Sequence, residues 1–129
     1  MLEEQQILGV MDRTYDTLEY AYPELEVISP LLSANEMATF NWNVSPGTRM
    51  VSNQFWVTKG QRIHIGSTAI PDSSTYWIGI MDGLNNARYV EGTGNLSHGF
   101  SITSSGHYRV FVQNKSSVQI NAAGSYYFN

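Results

Sequence analysis

The sequence predicts an all-β protein, an antiparallel β-sandwich or jelly roll of eight to nine short strands, with an N-terminal amphipathic helix. Three observations carry this. From Phe40 onward, apolar residues alternate with polar ones in short runs, the two-residue period of a strand with one buried face. The runs recur at intervals of roughly 8 to 12 residues with Gly, Ser and Asn between them, the rhythm of a sandwich or jelly roll. Ahead of them the composition is different. Residues 1 to 26 carry Glu3, Glu4, Asp12, Asp16, Glu19, Glu24 and Glu26 against Arg13 alone. The remainder carries four acidic residues against Arg49, Lys59, Arg62, Arg88, Arg109 and Lys115. Such a shift marks the junction of a segment with a domain. Residues 1–34 are therefore read as an acidic helix and connector, and residues 35–129 as the sandwich.

In the first segment Ile7, Met11, Tyr15, Leu18 and Tyr22 recur at helical spacing, which predicts a helix over residues 2–22. Gly9 weakens it by about 1 kcal/mol relative to alanine, and Pro23 stops it. Glu3 and Glu4 suit its dipole and Glu19 does not. Residues 24–35, with Pro30 inside, read as a connector or short edge strand.

The strands follow in order. Phe40, Trp42 and Val44 alternate with Thr39, Asn41 and Asn43, and Ser45-Pro46-Gly47 turns the chain. Phe55 and Val57 precede Lys59-Gly60; Ile63 and Ile65 precede Gly66-Ser67; Tyr76, Ile78 and Ile80 precede Asp82-Gly83. Arg88 to Glu91 forms a short strand, and Leu96, His98, Phe100 and Ile102 share a face before Ser104-Ser105-Gly106. Gly106 to Asn114 is the clearest strand, with Tyr108, Val110 and Val112 on one face and His107, Arg109, Phe111 and Gln113 on the other. Val118 with Ile120, and Ser125 to Phe128, complete the set. At the head of the clearest strand, Tyr108 matches a tyrosine corner, with its ring in the core and its hydroxyl bonded to upstream backbone.

Composition excludes several functions. The chain has 129 residues, enough for one self-sufficient core, and no cysteine, which removes thiol catalysis, thiolate metal sites and disulfides. A net charge of −4 and 14% charged residues leave no cationic surface for nucleic acid. No run approaches the roughly 18 apolar residues of a membrane span, and the start, Met-Leu-Glu-Glu, shows no signal peptide. No nucleophile elbow, phosphate loop or carboxylate pair is visible, so no enzyme is predicted. His64, His98 and His107 fall on three different strands without metal-motif spacing, so no metal or other cofactor is assigned. Asp82, Asn85 and Asn86 make an oxygen-rich turn with too few carboxylates for a strong calcium site, and a plain turn is favoured over calcium binding.

The binding candidates come from three adjacent aromatic pairs, Phe55-Trp56, Tyr76-Trp77 and Tyr126-Tyr127. Neighbours on a strand point to opposite faces. If Phe55 and Tyr76 enter the core, Trp56 and Trp77 lie outside it, and Tyr127 is the third candidate. Three occupants suit such residues: the helix stripe, a sugar ring, or another subunit. Arg62 and Arg88 are the polar neighbours expected to assist.

At Ser105-Gly106-His107-Tyr108-Arg109-Val110 the chain resembles the small β-sandwich modules of secreted bacterial proteins, notably the prepeptidase C-terminal type, over about residues 35 to 129. The likeness is the Gly-x-Tyr-x-Val strand entrance. It implies an extracellular or cell-surface, non-catalytic accessory or binding domain. Ser73-Ser74-Thr75-Tyr76-Trp77 replaces that group's acidic segment, so its calcium binding does not carry over. The expectation is a binding module that recognises a glycan or protein through an outer sheet face or loop end, using Trp56, Trp77, Tyr127, Arg62 and Arg88. The alternative is a self-associating surface or assembly component, a homo-oligomer joined through residues 2–22.

Overall fold

The computed structural model describes residues 33–129, together with the backbone of residues 7–12. Among the described residues, ten strands form two antiparallel sheets. They are β1 (Ile7–Asp12), β2 (Ala38–Val44), β3 (Arg49–Val51), β4 (Phe55–Val57), β5 (Arg62–Ile70), β6 (Thr75–Asp82), β7 (Ala87–Thr93), β8 (Asn95–Ser101), β9 (Gly106–Asn114) and β10 (Ile120–Phe128). One sheet runs β1-β7-β6-β9-β3, with β4 also on β9; the other runs β2-β10-β5-β8. The second sheet lies over the first with β2 above β3 and β9, and β8 above β6 and β7.

The alternating residues meet between the sheets as expected. Phe40, Phe55, Ile63, Ile65, Tyr76, Ile78, Ile80, Phe100, Val110, Val112, Tyr126 and Phe128 all belong to the central core. Polar ties fix the sheets against each other. The Tyr76 hydroxyl, on β6, donates to Gly94 O at 2.7 Å and is 3.2 Å from Ser67 O on β5. Burial pushes its pKa up to about 12, with the Ser67 hydrogen bond opposing. The buried Asn114 amide donates to Val44 O at 2.9 Å and to Val118 O at 2.6 Å, joining β9 to β2 and to the turn before β10. Tyr108 is the expected corner: its ring is buried and its hydroxyl donates to Ser104 O at 2.5 Å.

Three expectations are corrected. Residues 7–12, expected in a helix, form a strand antiparallel to β7, from Ile7↔Gly92 to Asp12↔Arg88, with a register shift between Ile7 and Gly9. Pairing satisfies the backbone groups along the outer edge of β7, and it outweighs a helical stripe weakened by Gly9 and by β-branched Ile7 and Val10. The rest of the expected helix, and the connector up to residue 32, lie outside the described residues. Residues 49–57, expected to supply one strand at Phe55, supply two on the same edge of β9. Ser52 separates them, its N–H donating to Val110 O at 2.9 Å and its Oγ accepting from Val110 N at 3.0 Å. The two strands expected at Val118–Ile120 and Ser125–Phe128 are one, β10, which runs through Ala122-Ala123-Gly124 at the centre of its sheet. Gly124 is required there: a Cβ would sit 1.9 Å from Gly66 O.

Candidate functional site

The outward side chains of the four-stranded sheet form rows set by strand register. One row is Thr39, Ser125, Gly66 and Ser97, and the next is Asn41, Ala123, Thr68 and Asn95. Asn43, Asn121 and Ile70 lie beyond at one end, and Tyr127, His64 and Gly99 at the other, followed by Arg62. The middle of the face is thus floored by small residues, and its ends differ in chemistry.

At one end the His64 and Tyr127 rings are stacked, centroids 4.6 Å apart and planes 12° from parallel. Register places the two residues opposite each other on β5 and β10, which brings flat side chains face to face. His64 Nε2 lies 3.2 Å from Asn129 Oδ1, and Arg62 Nη2 donates to Gly99 O at 3.1 Å. Gly99 makes this arrangement fit, since a Cβ there would come within 3.1 Å of both Arg62 Nη2 and His64 Nδ1. At the other end Asn121 Nδ2 donates to Asn41 Oδ1 at 2.7 Å and to Asn43 Oδ1 at 3.1 Å, while Thr68 Oγ1 donates to Asn95 Oδ1 at 2.5 Å. These bonds hold the amides in place, and among the described residues no acceptor takes the Asn41 or Asn43 amide N–H groups. Thr39, Asn41, Asn43, Arg62 and Thr68 are exposed. An open face with an aromatic stack at one end and fixed amides along it suits a ligand that has both apolar ring faces and many hydroxyls.

The residues singled out in the sequence do not share one site. Tyr127 and Arg62 fall together on this face. Trp56, 53% exposed, lies on the outer side of the other sheet with the His107 ring edge-on at 5.1 Å. Arg88 faces between the sheets, donating to Ser101 O with its guanidinium 5.5 Å from the centre of the Phe100 ring, where it braces β7 against β8. Trp77 points away from the central core as expected but is only 8% exposed. Its ring stacks on Tyr89 at 3.6 Å, Lys115 Nζ lies 4.5 Å from its centroid, and its Nε1 donates to Glu91 Oε1 at 2.9 Å. An outward direction here does not mean a free ring face. Around Trp77 a second cluster of Val51, Met81, Ala87, Tyr89 and Phe111 occupies the outer side of the six-stranded sheet. Beside it lies Arg49, fully buried, with Nε and Nη2 on Gln113 Oε1 and its guanidinium 4.0 Å from the centre of the Phe111 ring.

The three histidines are kept apart by strand direction. His64 is on the outer face of one sheet, His107 on the outer face of the other, and His98 turns inward, edge-on to Phe100 at 4.8 Å. Among the described residues no three His, Asp or Glu side chains converge as metal ligands. The Asp82 carboxylate is occupied by its own turn: Oδ1 accepts from Leu84 N and Asn86 N, and Oδ2 from Asn86 Nδ2, each within 2.9 Å.

Sequence reasoning passed over His64 except as a metal ligand, and passed over Asn41, Asn43 and Asn121. The polar half of β2 was visible as Thr39, Asn41 and Asn43. Which other strands lie beside it is long-range information that a single chain's periodicity does not contain.

No family model and no curated protein matches the chain. Among solved structures it is similar to a periplasmic inhibitor of g-type lysozyme from Aeromonas hydrophila, with a TM-score of 0.51 at 13% identity, covering 72% of this chain and 86% of that one. That likeness establishes a shared sandwich fold. A carbohydrate-binding module solved with calcium and xylotriose aligns with a TM-score of 0.38 at 8% identity, over 95% of this chain and all of that one. Among the described residues no helix is long and apolar enough to cross a membrane.

Proposed function

We propose that this protein is a non-catalytic binding module that works outside the cytoplasm and recognises a glycan on the outer face of its four-stranded sheet. The observation that carries the reading is the His64–Tyr127 stack on an exposed face lined by Asn41, Asn43, Asn121 and Thr68. A sugar ring would lie on the exposed part of the aromatic pair, and its hydroxyls would exchange hydrogen bonds with the amides and with Arg62. The sandwich fold shared with a periplasmic inhibitor fits the compartment. The prepeptidase C-terminal resemblance of residues 35–129 points to the same kind of role.

The test is native electrophoresis through gels cast with soluble xylan, β-glucan, galactomannan, pectin or hyaluronan. Retardation in at least one gel, relieved by the free oligosaccharide, is expected; unchanged mobility in all five would remove glycan recognition of these classes. A second reading, recognition of a protein, is favoured by Trp56, whose half-exposed indole beside His107 is the kind of aromatic that anchors protein interfaces.

A further inference from the structure

The strands of the four-stranded sheet carry no carboxylate: β2, β5, β8 and β10 contain neither Asp nor Glu. In a chain of net charge −4, one end of this face is nonetheless cationic, because Arg62 opens β5 beside the His64–Tyr127 stack. Resting on the glycan reading above, we propose that the Arg62 end of the face selects acidic sugars, with a uronate ring seated on the His64–Tyr127 pair and its carboxylate held by the Arg62 guanidinium.

Strand geometry brings the charge to the ring platform. Arg62 and His64 are two residues apart on β5, so their side chains leave the same face about 7 Å apart. Gly99, opposite His64 on β8, has no side chain to separate them. The position its Cβ would take is 3.1 Å from both Arg62 Nη2 and His64 Nδ1 and 3.3 Å from Arg62 Nε, so the guanidinium leans over Gly99 toward the imidazole. The bond from Nη2 to Gly99 O at 3.1 Å holds it there and occupies one of its N–H donors. Arg62 is exposed, so its planar fork can be reached from solvent, and that fork matches a carboxylate through two parallel hydrogen bonds. A uronate carries its carboxylate at the edge of the sugar ring. A ring lying on the stack therefore presents that group to a guanidinium that leans over the same platform.

The surrounding charges favour the same end. Lys59 is exposed in the turn that leads into β5, and this turn is tied to the chain just past β8 by bonds from Gly60 N to Ile102 O and from Ile102 N to Gln61 O, both 2.9 Å. Asp72 follows Ile70 beyond the far end of β5, which steers an anionic group toward Arg62. The Glu36 carboxylate, ahead of β2, accepts from Ser33 N at 3.0 Å.

The test is titration calorimetry of the full chain with oligogalacturonate and with hyaluronan oligosaccharide, each beside its carboxyl-reduced form, and with neutral xylan and β-glucan oligosaccharides. At least one acidic oligosaccharide is expected to bind at least about fivefold more tightly than its reduced form. Arg62→Gln is expected to bring that ratio close to one, with a thermal midpoint near the parent's. Equal affinity for the acidic and reduced forms in the parent overturns the proposal, and so does a ratio that Arg62→Gln leaves unchanged. Binding confined to the neutral oligosaccharides also overturns it while the glycan reading stands, whereas no binding of any probe removes both.

Discussion

The sandwich has two outer faces built on the same strand geometry, and they differ in what their side chains require. On the six-stranded sheet the outward residues of β6 and β9 include Trp77, Met81, Phe111 and Gln113, which are buried, while His107 at the start of β9 is exposed. On the four-stranded sheet the outward residues are mostly threonines, serines, asparagines and small residues, with Ile70 exposed at one end and His64 and Tyr127 stacked at the other. A face of the first kind is a second core and must be covered. The second kind is stable in water and can meet a ligand without rearrangement. Outward-pointing aromatics are therefore an uncertain guide to a binding site, because Trp77, Tyr89 and Phe111 are taken up in packing whereas Trp56 is not.

The sharpest way to break this contrast is to remove one side chain from each face. Phe111→Ala is expected to cost about 3–5 kcal/mol in urea unfolding, the ordinary loss for a buried phenylalanine. Asn121→Ala, on the open face, is expected to cost about 1 kcal/mol or less. Equal losses would mean that the two faces are not different in kind.

Glycines refine the comparison. Gly124→Ala places a methyl against the β5 backbone and is expected to lower stability by about 1–3 kcal/mol or more. Gly66→Ala, whose Cβ would lie an ordinary 3.6 Å from Ser97 Cβ, should change stability by only about 0.5 kcal/mol. The same methyl stands in the small-residue row of the open face, so Gly66→Ala is expected to weaken glycan retardation while the thermal midpoint stays near that of the parent.

Tyr76 tests the ties between the sheets that hold both faces in place. Its folded pKa, about 12, lies above the unfolded value near 10, so the folded state holds the phenolic proton more tightly. Its contribution is full below pH 10 and is lost as pH rises toward 12, about 2–3 kcal/mol in all. Tyr76→Phe should cost about 1–2 kcal/mol at pH 7 through the lost hydrogen bond to Gly94 O, and should flatten that part of the alkaline stability curve. A curve as steep as the parent's would place the alkaline sensitivity elsewhere. Tyr108→Phe, which loses the bond to Ser104 O, is the smaller change at about 1 kcal/mol.

Much of the scaffold was legible. The alternation from Gly106 to Asn114 matches β9 end to end, and the inward sides of β2, β4, β5, β6, β8 and β9 follow from period alone. Legibility failed where neighbours decide. Ala122-Ala123-Gly124 has weak strand propensity and is a strand because β2 and β5 pair on both sides of it. Residues 7–12 carry a helical stripe and pair with an edge. The burial of Trp77 had a readable sign: Tyr76-Trp77-Ile78-Gly79-Ile80-Met81 has no polar residue on either side, the pattern of a strand covered on both faces. For the candidate site, Tyr127 and Arg62 were found one at a time, and only sheet order brings them to His64 and the asparagines.

The most direct comparison is between two outward aromatics, the partly buried Tyr127 and the half-exposed Trp56. Affinity for whichever polysaccharide retards the parent is measured by titration calorimetry for Tyr127→Ala and for Trp56→Ala, with unfolding curves for both. The account predicts at least a tenfold loss for Tyr127→Ala, parental affinity for Trp56→Ala, and stability near the parent's in each. Loss of binding with Trp56→Ala while Tyr127→Ala binds normally would contradict it, and would move the site to the outer side of the six-stranded sheet.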